Sequence, residues 1–158
     1  MRRSSACALV ATVGPFGRLP GPGTWGSLVG LWLGFAGIDA FGTPILLAIL
    51  AVTFPLCALI CGCAERHLAQ HDPPSVILDE VWAMAVVIIV QARVIGASGR
   101  IAWLAFLLFR LFDILKPPPL KLLARLPAGW GIITDDLGAA AYTCMVLLVG
   151  KWLSGQGG

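Results

Sequence analysis

The sequence predicts an all-α protein: a compact helical bundle, integral to a membrane, with about five apolar helices, some too short to cross fully. Three observations lead there. Hydrophobic residues make up 58% of the 158-residue chain and charged residues only 12%, against roughly 45–50% and about 25% in soluble domains. Mean hydropathy is +0.90, so a chain of this size has too few polar side chains to cover its apolar surface in water. The apolar residues also fall in runs, separated by glycine, proline and short polar stretches, as helices joined by turns do.

The length suits one domain over residues 1–158. A net charge of +3, dispersed along the chain, argues against a nucleic-acid partner. Five cysteines are present; Cys57 and Cys61 share one apolar run, Cys144 lies in another and Cys7 is near the start. They read as small buried hydrophobes rather than a disulfide framework. Cys61, Cys63, His67 and His71 lack the spacing of a zinc finger. The opening MRRSSACALVATVG resembles a signal peptide, but Gly14 and Pro15 end its apolar stretch early and no small-residue cleavage site is evident. It reads as retained.

Residues 18–30, RLPGPGTWGSLVG, set Gly21, Gly23 and Gly26 in a G-x-G-x-x-G pattern. No strand precedes it and no P-loop lysine follows, so neither nucleotide motif applies. Two readings stay open. The turn delivers Thr24 and Ser27 to a helix N-terminus suited to a phosphate, or it caps the helix and packs it tightly through small residues.

The first apolar span runs from about Trp25 to Phe41, and Gly42, Thr43 and Pro44 turn the chain into a second, Ile45 to about Cys63. After a polar stretch, Pro73, Pro74 and Ser75 start a third helix, apolar over Val81–Val90 with Asp79 and Glu80 at its mouth. A loop over Arg93–Arg100 leads to the fourth helix, Ile101–Leu115. A basic loop with Lys121 and Arg125 then passes through AGWGIITDD to a fifth span, about Leu137 to Trp152.

The end of the fourth helix is the chemical focus. FRLFDILKPPPL, Phe109–Leu120, spaces Arg110, Asp113 and Lys116 three apart, on one side of a helix. Pro117, Pro118 and Pro119 then stop that helix. With the N-terminus in the cytoplasm and five crossings, Arg2, Arg3, Arg18, Arg66, Lys116, Lys121 and Arg125 fall inside, and Arg93, Arg100 and Lys151 outside. That asymmetry obeys the positive-inside rule. The same topology gathers every carboxylate except Asp39 at the cytoplasmic edge.

Ionisable groups at membrane depth are costly and are paired or functional. Asp79 and Glu80, Asp113, and Asp135 with Asp136 come from separate segments to one level, and Arg110 and Lys116 do not balance them. One reading is a divalent cation, for which oxygen ligands favour Mg²⁺. The other is a set of salt bridges of the Arg110–Asp113 and Lys116–Asp135 type. A held Mg²⁺ points to phosphoryl transfer, to water or through an aspartyl-phosphate. Cys-x₅-Arg and D-x-D-x-[TV] nucleophile motifs are absent from the sequence.

Four blocks in order carry a resemblance: PGTWGSLVG (Pro22–Gly30), HDPPSVILDE (His71–Glu80), FRLFDILKPPPL and GWGIITDDLGAA (Gly129–Ala140). From Leu19 to about Ala140 the chain resembles the phosphatidylglycerophosphatase A family. The resemblance implies a compact all-helical fold and Mg²⁺-dependent removal of the terminal phosphate of phosphatidylglycerophosphate, giving phosphatidylglycerol. It implies a multi-pass protein of the bacterial cytoplasmic membrane whose site faces the cytoplasm. By matching position, Asp79, Glu80, Asp113 and Asp136 are the expected catalytic residues, joined by Asp135 as the metal set. Thr24, Arg110 and Lys116 are the expected substrate ligands, with Ser27 in the assisting turn. Ala83, Ala128 and Ala140 stand where similar sequences usually have glycine, and Leu120 where isoleucine is usual. Two rival readings are a phosphatase of another anionic lipid and a small cation-conducting or scaffold protein of the membrane.

Overall fold

A computed structural model describes residues 2–96 and 98–155. The described residues form α1 (Arg2–Ala11), α2 (Pro22–Leu68), α3 (Leu78–Val94), α4 (Gly99–Leu115), α5 (Leu120–Leu123) and α6 (Trp130–Leu153), with no strand among them. A short 3₁₀ turn, Phe16–Arg18, joins α1 to α2.

Proline and glycine set the boundaries. Pro22 starts α2, where its missing N–H costs nothing and its φ suits a first turn. Gly42 breaks α2 with φ 73° and ψ 161°, a conformation that only glycine adopts readily. The halves 22–41 and 43–68 fold back on each other, and Leu46 packs over Gly37 across the break. The expected turn between the first two spans is therefore present. Lys116 caps α4 in the left-handed region at φ 43°, its N–H bonded to the Phe112 carbonyl at 2.8 Å, and the prolines follow.

Helix α3 runs through the middle. Gly26, Gly30 and Gly34 line one face of α2 against it; a Cβ there would sit 2.9 Å from the Ile77 carbonyl oxygen, 2.9 Å from Met84 Cβ and 2.8 Å from Ile88 Cβ respectively. Small residues let the two backbones approach closely. Met84, Val87 and Ile88 also pack on Phe106 and Phe109 of α4 and on Ala139 and Leu147 of α6. On the other side, Ala85 and Ile89 meet Leu46 and Leu50 from the second half of α2. Trp82 ties the same two elements, donating Nε1–H to the Leu50 carbonyl at 3.2 Å.

Several expectations are corrected. The third helix begins at Leu78, not near Ser75, because residues 73–76 close a turn of their own, the Val76 N–H bonding to the Pro73 carbonyl at 2.9 Å. The last helix begins at Trp130 rather than Leu137, so Asp135 and Asp136 lie inside it and are buried. Gly129 (φ 79°) starts it, and α6 seats there against Ala58 and Gly62 with no room for a side chain. Cys7 and Cys63 form a disulfide between α1 and α2 instead of acting as isolated hydrophobes. Cys57 and Cys61 are buried free thiols in a small apolar cluster.

Among the described residues, α2 and α6 are long and apolar enough to cross a membrane. At 17 residues each, α3 and α4 fall short of the ~20 that a crossing takes. The side chains of Arg2 and Arg3, which entered the charge asymmetry, lie outside the described residues.

Candidate active site

At one end of the bundle, a cavity of about 290 Å³ receives charged groups from α3, the end of α4, α6 and the connection before α3. The first turn of α3 supplies Asp79 and Glu80, the end of α4 supplies Arg110, Asp113 and Lys116, and α6 supplies Asp135 and Asp136. Gly21–Gly23 and the 72–76 connection form much of the remaining wall. All the charged candidates of the sequence thus share one cavity.

They divide into two groups. Arg110 holds Asp113 at 2.5 Å and faces Glu80 at 3.8 Å; Lys116 bonds Asp135 and faces Asp72 at 3.7 Å. Both salt bridges anticipated as an alternative to metal binding therefore exist. They do not account for all the acids. Asp79, Glu80 and Asp136 can each point an oxygen to one place, with those atoms within 4.8 Å of one another. Asp79 Oδ1, Glu80 Oε2 and Asp136 Oδ2 are buried without a hydrogen-bond partner. Three carboxylates so close repel unless protons or a cation intervene. Buried, unpaired oxygens on hard carboxylate ligands fit a divalent cation.

Lys116 shows how strong the local field is. Burial pulls its ammonium down, but the hydrogen bond to Asp135 and the charges of Asp135, Asp72 and Asp136 outweigh that. Its pKa is raised above the ordinary lysine value.

The glycine turn contributes space. A Cβ on Gly23 would collide with Glu80 Oε1 and lie 2.8 Å from one terminal nitrogen of Arg110. Thr24 is exposed and is not among the residues lining the cavity. Ser27 is buried, its hydroxyl donating to the Gly23 carbonyl at 2.8 Å within its own helix. Gly26 and Ser27 thus follow the packing reading of this turn, whereas Gly21 and Gly23 border the charged cavity. Sequence reasoning missed Asp72 as a wall of the site. Its signal was the pair of prolines after it, which turn the chain back toward α3.

The family model for phosphatidylglycerophosphatase A matches residues 9–151. The chain belongs to that family. A phosphatidylglycerophosphatase A of Haemophilus influenzae is 39% identical over 129 residues, covering 81% of this chain and 77% of the relative. The Escherichia coli K12 phosphatidylglycerophosphatase A is 28% identical over 131 residues, covering 80% and 72%. A Bacteroides thetaiotaomicron protein, provisionally named phosphatidylinositol-3-phosphatase, is 28% identical over 144 residues, covering 85% and 86%. No solved structure matches significantly. Membership makes this protein a phosphatase, a phosphoric monoester hydrolase. In that light the cavity combines an acidic group able to hold a cation with two cations able to bind phosphate oxygens.

Proposed function

We propose that this phosphatase hydrolyses the terminal phosphate of phosphatidylglycerophosphate, with Mg²⁺, to give phosphatidylglycerol and inorganic phosphate. The observation that carries the reading is the group of unpaired buried oxygens on Asp79, Glu80 and Asp136 beside Arg110 and Lys116. Asp79, Glu80 and Asp136 hold the metal, which when bound neutralises charge on the transferred phosphoryl group. Arg110 and Lys116 bind the non-bridging oxygens, and Asp113 and Asp135 hold those two cations in place. Asp113, bordering the same cavity, takes the proton of the attacking water. A bond forms from the water oxygen to phosphorus while the bond from phosphorus to the ester oxygen breaks, and that oxygen leaves with the lipid as a hydroxyl after taking up a proton from solvent water. Thr24, at the exposed edge of the glycine turn, assists headgroup binding.

A lipid substrate suits the surroundings. A second cavity of about 610 Å³, almost wholly apolar, opens between the halves of α2 and α3, and Leu78 lines it one residue before Asp79. Trp32, Val52, Leu59, Leu107, Ile114 and Trp152 are each more than half exposed. Apolar side chains exposed on this scale belong against lipid. We place the protein in the bacterial cytoplasmic membrane as a multi-pass bundle, with the charged cavity toward the cytoplasm. The Bacteroides relative's name favours one second reading, a phosphatase of a different anionic lipid.

The deciding experiment is phosphate release by purified protein in mixed micelles. Phosphatidylglycerophosphate and phosphatidylinositol 3-phosphate are compared, each with Mg²⁺ and with EDTA. Release from the first, abolished by EDTA, supports the proposal. Preferential release from the second, or release indifferent to EDTA, overturns the substrate or the metal assignment respectively.

A further inference from the structure

We infer that Asp72 is an internal stand-in for the substrate's phosphate, a rim carboxylate that occupies Lys116 and yields it when phosphate enters. The inference rests on the phosphatase reading above. Lys116 has two anionic neighbours, and they differ in kind. Asp135 is 3% exposed, lies inside α6 and accepts a hydrogen bond from Lys116. Asp72 is 48% exposed, sits on the connection between α2 and α3, and stays 3.7 Å from the ammonium, beyond hydrogen-bond reach. One anchor is fixed and the other is loose. An ammonium has three donors, and Asp135 accepts the one side-chain bond found for this lysine.

The backbone holds Asp72 at this post. Its φ is 46°, a left-handed value that few residues other than glycine adopt, though aspartate does so more readily than most. Pro73, directly after it, is fully buried and anchors the connection. The side chain itself is half in solvent, so it can turn outward without unmaking any packing. A phosphate dianion entering a cavity already crowded with carboxylates needs both cations. Arg110 is approached by Glu80 and Asp113, both largely buried, so Asp72 is the one acid on either cation with an open route to water. Replacing one anion by another keeps Lys116 neutralised throughout. The same exchange run backward speeds departure of inorganic phosphate, because Asp72 returns to the lysine as the product leaves.

The test measures binding of inorganic phosphate to the full chain in detergent micelles with Mg²⁺, by calorimetry. Asp72→Asn and Asp72→Ser both remove the competing charge and are expected to bind phosphate about fivefold more tightly, the scale of a lost surface ion pair. In a background carrying Lys116→Met and Asp135→Asn, which removes the lysine without stranding the charge of Asp135, the Asp72 substitution is expected to change nothing. Unchanged or weaker phosphate binding in both Asp72 variants overturns the inference. An equal gain in both backgrounds also overturns it, because it reveals only a general reduction of negative charge. If the wild type hydrolyses its lipid while the Asp72 variants fail this test, the phosphatase reading survives alone. A wild type that neither binds phosphate nor releases it overturns both.

Discussion

Lys116 Nζ, at the end of α4, is bonded to the carboxylate of Asp135 in the second turn of α6. This pair joins two helices and sets one of the two cations of the charged cavity. Removing the lysine leaves a buried aspartate without its partner. Lys116→Met is expected to lower stability by about 2–3 kcal/mol, somewhat below the cost of breaking a fully buried pair because the lysine is partly exposed. Adding Asp135→Asn recovers much of that loss. Because folding raises the Lys116 pKa, its contribution is complete below the unfolded lysine value and is lost as pH rises through the higher folded one. The stability gap between wild type and the Lys116→Met, Asp135→Asn double variant, in which no carboxylate at 135 is left to titrate, should thus stay level from about pH 7 to about pH 10 and shrink above that. Denaturation followed across that range checks it.

Asp79→Asn, Glu80→Gln and Asp136→Asn each remove one member of the crowded acidic group. Each is expected to cut lipid phosphatase activity by at least ~10²-fold. Each is also expected to stabilise the metal-free protein, by about 0.5–2 kcal/mol, since less like charge is confined together. Activity assays paired with thermal unfolding in EDTA distinguish this from simple misfolding, which would lower both.

Mg²⁺ is expected to raise the melting temperature of the wild type, with about 2.7 kcal/mol of stabilisation at a hundred times its dissociation constant. The Asp136→Asn variant is expected to lose that shift. Unfolding scans at graded Mg²⁺ measure both.

Gly23→Ala should separate catalysis from folding. The added methyl meets the ends of the Glu80 and Arg110 side chains, which can swing aside at small cost. Stability is expected to change by less than about 1 kcal/mol. Activity is expected to fall about 10–10²-fold, because those ends belong to the proposed machinery. Turnover and unfolding of the same preparation give the comparison.

Ala128 precedes the start of α6 with φ 57°, left-handed for a residue that carries a Cβ. That conformation costs ~1–2 kcal/mol, and glycine would recover it less ~0.5–1 kcal/mol of added chain entropy. Ala128→Gly is thus expected to stabilise by about 0.5–1 kcal/mol, as read by denaturant midpoints.

Much of this arrangement was legible in the residues themselves. Gly42 and Pro44 marked the break in α2 because few other residues suit that backbone. The i, i+3 spacing of Arg110, Asp113 and Lys116 placed them on one side of a helix end, and the structure brings all three to one cavity. What escaped detection depended on tertiary contact. The register of α6 hinges on Gly129 seating against Ala58 and Gly62, contacts that no local pattern announces. Cys7 and Cys63 lie 56 positions apart, and spacing gives no hint that they meet. Ser27 looked available, yet close packing of α2 on α3 turns its hydroxyl onto its own helix.

The fold at Gly42 also makes the molecule one-sided. Because α2 doubles back there, its first residues meet the start of α3, the end of α4 and the early turns of α6 around one cavity, and its last turns meet the start of α6 at Gly62. Asp39, Arg93, Arg100 and Lys151 do not line the charged cavity, and Lys151 instead donates to the Val94 carbonyl at the far end of α3, at 2.6 Å. On the proposed reading, a bundle set in a bilayer with its charged cavity at one end would serve the leaflet at that end, and lipid that had flipped across would lie a helix length away from Asp79, Glu80 and Asp136.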